Sequence, residues 1–175
     1  MDTILHQISL MDQVENEQEL SEIIHSLLQA IGNYTGADRV YVFDWETDQK
    51  DSLSNAFEWC ADGVAPEIDN LQAIPVSSMP NWVKRFENKE VIVIHDLEAT
   101  KDSEPEEYEL LKTQEIYSLI AVPIYANHQM NGFIGVDNPD LRQNKISITL
   151  LSDVGGHLGC VRENLKSTVL LKKAL

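Results

Sequence analysis

Apolar residues at helical spacing open the chain. Ile4, Ile8 and Met11 recur every three or four positions ahead of the polar stretch Glu15 to Glu19, which predicts a short lead-in helix within residues 1–16. A stronger stripe follows. Leu20, Ile23, Ile24, Leu27, Leu28 and Ile31 fall at i, i+3, i+4, i+7, i+8 and i+11, one broad apolar face that must lie on something flat, with Gly32 and Gly36 as stop signals. The period then changes. Arg39 to Trp45 and Asn55 to Trp59 are rich in β-branched and aromatic residues, and the turn-forming stretch Glu46 to Ser54 between them predicts an antiparallel pair of strands.

Gly63, Pro66 and Pro75 predict irregular backbone from Ala61 to Pro75, leading to a short helix over Ser78 to Glu87 with Pro80 in its first turn and Trp82 and Phe86 on one face. Val91 to His95 reads as a brief strand. Ser103-x-x-Glu106, enclosing Pro105, reads as a capping box that opens a second short helix carrying Leu110 and Leu111. Tyr117 to Tyr125 and Gly132 to Asp137 predict a second strand pair, turning through Ala126-Asn127-His128, where Asn and His tolerate left-handed backbone. From Lys145 onward, Leu151, Val154, Leu158, Val161 and Leu165 alternate spacings of three and four, the seam of a coiled coil, so the chain should leave as a long helix. The first and last long helices both need an apolar sheet face. The opposite face is left to short helices, loops and aromatic side chains, where a pocket can form.

Composition narrows the function. At 175 residues the chain suits one core, and 29 acidic against 13 basic residues give a net charge of −16, which argues against nucleic acid or an anionic membrane as a direct partner. Two cysteines, Cys60 and Cys160, are too few for a disulfide scaffold and fit a reducing compartment. Asp2, Asp12, Glu15 and Glu17 stand where a targeting segment would be basic and apolar, and no apolar run is long enough to span a bilayer. A cytoplasmic location is the expectation.

The order of elements and several local sequences resemble the GAF family. Thr35-Gly36-Ala37-Asp38-Arg39-Val40-Tyr41-Val42-Phe43 is similar to the family's first strand and its approach, and Phe57-Glu58-Trp59 to its second. Pro66-Glu67-Ile68-Asp69-Asn70-Leu71 resembles the loop that follows. Ile116-Tyr117-Ser118-Leu119-Ile120-Ala121-Val122-Pro123-Ile124 with Gly132-Phe133-Ile134-Gly135-Val136-Asp137 resembles its diagnostic hairpin. The resemblance implies an α+β, profilin-like domain over residues 17–162, with a twisted antiparallel sheet of five to six strands. Terminal helices should cover one face, short helices and loops the other, and residues 163–175 should extend the exit helix. It also implies a sensory module that binds a small molecule in the cleft and relays the event through a dimeric exit helix to a fused or partner output domain. A homodimer through the terminal helices is expected with it. An alternative is a ligand-free domain that only dimerises; another is a redox enzyme such as the GAF-fold methionine sulfoxide reductases.

The resemblance does not name a ligand or cofactor. Asn144-Lys145 matches the start of the cyclic-nucleotide signature without the Phe and Asp-Glu that complete it; neither Cys60-Ala61 nor Cys160-Val161 is the Cys-His pair of bilin attachment; and the reductases' closely placed cysteines are missing. A glycine common at the hairpin turn is replaced by His128. His157 and Cys160 at i, i+3 fall short of the four ligands of a zinc site, and Gly155-Gly156-His157-Leu158-Gly159-Cys160 lacks either phosphate-loop pattern and suits close helix packing. Asp44, His95, Ser118 and Asp137 lie on or beside strands without a spacing that assembles a catalytic group, so no catalytic residue is assigned. Alternation along the second strand puts Phe57 and Trp59 on one face, and the short helix should bring Trp82 and Phe86 over that face. These four, with Trp45 at the rim and Ser118 and Asp137 as orienting polar groups, form the candidate ligand site. Ordinary core packing is the competing account of the aromatics.

Overall fold

A computed structural model describes residues Met1–Ala174. Among them, helices α1 (Asp2–Met11) and α2 (Glu17–Thr35) lead into strands β1 (Arg39–Trp45) and β2 (Ser52–Cys60). A two-residue strand β3 (Ile74–Pro75), helix α3 (Pro80–Glu87), strand β4 (Ile92–Ile94) and helix α4 (Pro105–Leu111) follow, then the hairpin β5 (Leu119–Ala126) and β6 (Gln129–Asp137), and finally α5 (Asn144–Ala174). Leu175, the last residue of the expected extension, lies outside the described residues. No described helix is long and apolar enough to cross a membrane.

The six strands form one sheet in the order β3-β2-β1-β6-β5-β4, and every neighbouring pair is antiparallel. Its two faces carry two separate cores. Val40 and Val42 of β1, Ile120, Val122 and Ile124 of β5, and Ile134 and Val136 of β6 pack against α1, α2 and α5. Tyr41, Phe43, Leu119, Ala121 and Phe133 face the other way, under α3 and α4. The terminal helices thus share one side, as the two amphipathic stripes require.

Several local devices differ from the sequence expectation. Gly32 does not stop α2. The helix runs on to Thr35 and ends at Gly36, which is left-handed at φ 67°. Gly32 instead makes room for a neighbour, because a methyl there would overlap the Trp59 ring. The capping box at Ser103 does not form: Glu104 is the N-cap residue of α4, and the Ser103 hydroxyl donates to Thr100 O at 3.2 Å. Pro105 at the first position sets the start of the helix without it. β3 lies within the stretch expected to be irregular; it pairs along Ser52 and Leu53 at the sheet edge, where a proline is tolerated. The hairpin turn has Asn127 at φ 49° and His128 at φ 64°, the pair of left-handed residues that a two-residue turn needs to match strand twist.

The coiled-coil seam is used inside the chain. Leu151, Val154, Leu158, Val161 and Leu165 are all buried against the sheet and α1, leaving Val169, Leu170 and Leu171 exposed beyond them. Two side chains of α5 reach neighbouring elements. Arg162 donates to Asp44 Oδ1 at 2.6 Å, and its guanidinium sits 5.8 Å from the centre of the Phe57 ring. His157 Nε2 lies 2.9 Å from Oδ1 of Asp12, the residue that follows α1.

The glycines of α5 divide by what they touch. A methyl at Gly159 would run into the Tyr125 carbonyl of β5, whereas one at Gly156 would meet open space. Gly159→Ala should therefore lift α5 from the sheet at a cost of about 1–3 kcal/mol, while Gly156→Ala should stabilise by up to about 1 kcal/mol through helix propensity alone. Urea unfolding of the two variants checks both signs.

Candidate binding cavity

On the face away from the terminal helices, β1 and β6 floor a cavity roofed by α3, α4 and the loop after α4. Its lining includes Arg39, Tyr41, Phe43, Glu58, Trp82, Phe133 and Asp137, closed above by Met79, Leu110, Leu111 and Ile116. Atom-free space out to the mouth is about 390 Å³, but only about 30 Å³ accepts the centre of a water molecule. That is room for about one water, so a ligand of ordinary size must part the roof.

Pairing register builds the floor. Arg39 lies opposite Asp137 and Tyr41 opposite Gly135, so alternate residues of two adjacent strands point into the cavity. Asp137, 1% exposed, receives Arg39 Nε at 2.9 Å on one oxygen and the Tyr41 hydroxyl at 2.9 Å on the other. Gly135 allows this, because a side chain there would collide with the Tyr41 ring. Arg39 spends its other donors on Ala65 O at 3.1 Å and on Gln114 O, tying both flanking loops to β1. Glu58 takes the Glu67 and Ile68 amides at 2.9 and 3.2 Å and Asn55 Nδ2 at 3.0 Å.

The wall is aromatic. Phe133 stacks on Phe43 at 4.6 Å and on Phe86 at 5.1 Å, and meets Trp82 at 6.2 Å, edge to face. The roof is held by a buried carboxylate. Glu107 of α4 accepts the Asn81 and Trp82 amides at 2.7 and 3.3 Å, capping the N-terminus of α3, which has no side-chain cap of its own.

The expected site residues separate. Trp82 and Asp137 line the cavity. Phe86 is fully buried in the core beside it, and Trp45 packs on the same core with its indole N–H on Met130 O at 3.0 Å. Ser118 belongs to a bracket: its amide donates to Asn138 Oδ1 at 3.1 Å and its carbonyl accepts the Asn138 amide at 2.8 Å. Phe57 and Trp59 are corrections. They pack on the helix-covered face, Phe57 edge-on to His25 and Trp59 against Gly32. The cause is a bulge: Val42 pairs with Phe57 but Phe43 with Asn55, so Ala56 is an extra residue and the alternation slips by one. The slip turns Glu58 into the cavity in place of its aromatic neighbours. Asp44, bound to Arg162, likewise lies on the opposite face from Asp137, and His95 is exposed. Arg39, Tyr41, Phe43, Glu58 and Phe133 were not singled out in the sequence. The alternation Arg39-x-Tyr41-x-Phe43-x-Trp45 was the available signal for the first three.

Burial pushes Asp137 up to about 6, against the pull of the Arg39 charge and the hydrogen bonds from Tyr41 and Arg39. Burial likewise raises the Tyr41 hydroxyl well above its ordinary value, and the Asp137 charge adds to the shift.

The GAF domain family profile matches residues 19–160, and the chain belongs to that family. It is 32% identical over 127 residues to the methanogenesis regulatory histidine kinase FilI of Methanothrix harundinacea (strain 6Ac), a match that covers 69% of this chain and 14% of the kinase. Its fold is similar to the far-red absorbing dark state of JSC1_58120g3 with bound biliverdin IXa, with a TM-score of 0.74 and 16% identity over 94% of this chain and 99% of that one. It is also similar to the phycoerythrobilin-bound GAF domain from a cyanobacterial phytochrome, with a TM-score of 0.74 and 17% identity over 96% of each chain.

A carboxyl held at about 6 against an ordinary 3.8 binds its proton more tightly in the folded state. The stability it confers is full below about pH 4 and is lost as pH rises through about 6. The stability difference between the native protein and Asp137→Asn should therefore shift by up to about 3 kcal/mol in favour of the variant over that range. Arg39→Met strands the carboxylate and should cost about 3–5 kcal/mol at neutral pH and less in acid. Denaturant unfolding of the three proteins at several pH values reads both effects.

Proposed function

We propose that this chain is a sensory or regulatory module that takes a small molecule between the sheet and the α3–α4 roof and passes its presence to α5, and through it to an output domain. The observation that carries the reading is the buried Arg39–Asp137–Tyr41 network at the floor of a cavity with aromatic walls. A few fixed polar groups in an apolar recess are the usual makings of a ligand site. The names of similar proteins support the same class: one is a regulatory histidine kinase, and two solved GAF structures hold bilins.

In this reading the route out of the cavity is β1. One face of the strand carries Arg39, Tyr41 and Phe43 toward the cavity, and the other carries Asp44, bound to Arg162 of α5. A ligand that binds one setting of this strand better than another shifts the population of both. In this reading the exposed Val169, Leu170 and Leu171 continue α5 into a homodimer contact and onward to the output domain. Cys60 has no part in it. Burial and the neighbouring Glu58 push the Cys60 thiol up to about 11, which leaves little thiolate for redox turnover or covalent attachment.

The narrowness of the cavity favours a second reading, in which the domain binds nothing and acts by dimerisation alone. A thermal-shift screen of metabolites separates the two. A ligand at a hundredfold excess over its Kd should add about 2.7 kcal/mol, raising Tm by about 5–10 °C for a chain of this size, and Leu111→Trp, which adds bulk at the roof, should abolish the shift. No shift with any compound, together with a dimer that Leu170→Glu dissociates in sedimentation, would support the second reading.

A further inference from the structure

The polar groups of the cavity are not equivalent. Asp137, Glu58 and Arg39 all have partners within the protein: Asp137 receives Arg39 and Tyr41, Glu58 receives two amides and Asn55, and Arg39 reaches Asp137 and two carbonyls. These bonds hold the floor and the loops in place, and each of the three groups has a partner within the protein. One lining residue is different. Trp82 is 3% exposed, and its indole N–H finds no acceptor among the described residues. Buried indole N–H groups ordinarily find a partner, and one left without is costly. Trp45 illustrates the ordinary case, with its N–H on Met130 O.

Charge restricts what can supply the missing acceptor. Two carboxylates, Glu58 and Asp137, face one guanidinium in the lining, and the chain as a whole carries −16. An anion entering here would meet net negative charge while leaving water. The remaining wall is apolar at Phe43, Phe133, Leu111 and Ile116, with Gln114 as a further polar member whose Nε2 donates to Leu110 O at 2.8 Å. We propose that the ligand is an uncharged, largely apolar ring compound bearing one hydrogen-bond acceptor, a ring nitrogen or a carbonyl oxygen, that takes the Trp82 indole N–H; carboxylates and phosphates are excluded. This rests on the cavity being a receptor site, and it adds the class of ligand and the residue that selects it.

Three ring probes of similar shape test it on the intact chain at neutral pH: quinoline, uncharged with a ring nitrogen; naphthalene, with no acceptor; and 2-naphthoate, an anion. Binding is followed by titration and by the indole N–H signals in ¹H–¹⁵N spectra, with Trp82 assigned from Trp82→Phe and Trp45 as the already bonded reference. The expected result is that quinoline binds about tenfold more tightly than naphthalene and moves the Trp82 signal downfield, that 2-naphthoate does not bind, and that Trp82→Phe makes quinoline and naphthalene equal. Equal binding of quinoline and naphthalene to the native protein overturns the proposal and leaves the receptor reading standing. Tight binding of 2-naphthoate overturns the charge selection. Failure of all three to bind overturns the proposal, while the receptor reading stands or falls separately by the metabolite screen. The comparison of probes on the native protein decides the matter even if Trp82→Phe folds poorly.

Discussion

The pairing of Arg39 with Asp137 is the interaction on which the cavity side of this domain depends. The two residues sit opposite each other where β1 begins and β6 ends, so their contact fixes the register of the two central strands. It also does more than hold strands. With its remaining donors on Ala65 O and Gln114 O, one guanidinium suspends the loop after β2 and the loop after α4 from the same point of the sheet. A buried ion pair is a weak source of net stability, but removing one partner leaves a charge with no solvent to receive it. The geometry is thus maintained by the cost of its alternatives.

Around that pair, the sheet divides the molecule into two interiors with different tasks. The helix-covered side is aliphatic and closely fitted, with Val40, Val42, Ile134 and Val136 meeting α2 and α5, and with Gly32 and Gly159 letting Trp59 and the β5 backbone approach. The other side is built from rings around Phe133 and keeps a narrow opening. Every strand that walls the opening also supports the helices behind it. The Asp44–Arg162 contact makes this explicit for β1, whose alternate residues serve one compartment and then the other.

Much of this architecture was legible in the residues. Leu20 to Ile31 and Leu151 to Leu165 announced helices that needed a common sheet face, and Asn127-His128 announced a tight turn. Those features are local, and local pattern dictates them. The site was less legible because it depends on phase and on distant partners. Phe57 and Trp59 alternate as expected, yet a single extra residue at Ala56 sends them to the far side of the sheet and brings Glu58 in. No composition or spacing marks that bulge. Gly32 resembled a stop because glycine ends many helices, while its use here as a seat for Trp59 exists only once β2 is packed on α2. The partner of Arg39 is Asp137, 98 positions further along the chain, and no local pattern joins the two before the fold does.

The carboxylate of Glu107 carries a mechanical consequence. By capping α3 from within α4, it ties the two short helices to each other, and the Arg85–Glu104 pair adds a second link between them. A guest that enters beneath Trp82, as the receptor reading requires, has to move both helices together. In that reading the threshold for entry is shared among all the attachments of the pair, the Tyr125–Phe86 and Arg85–Val91 bonds included.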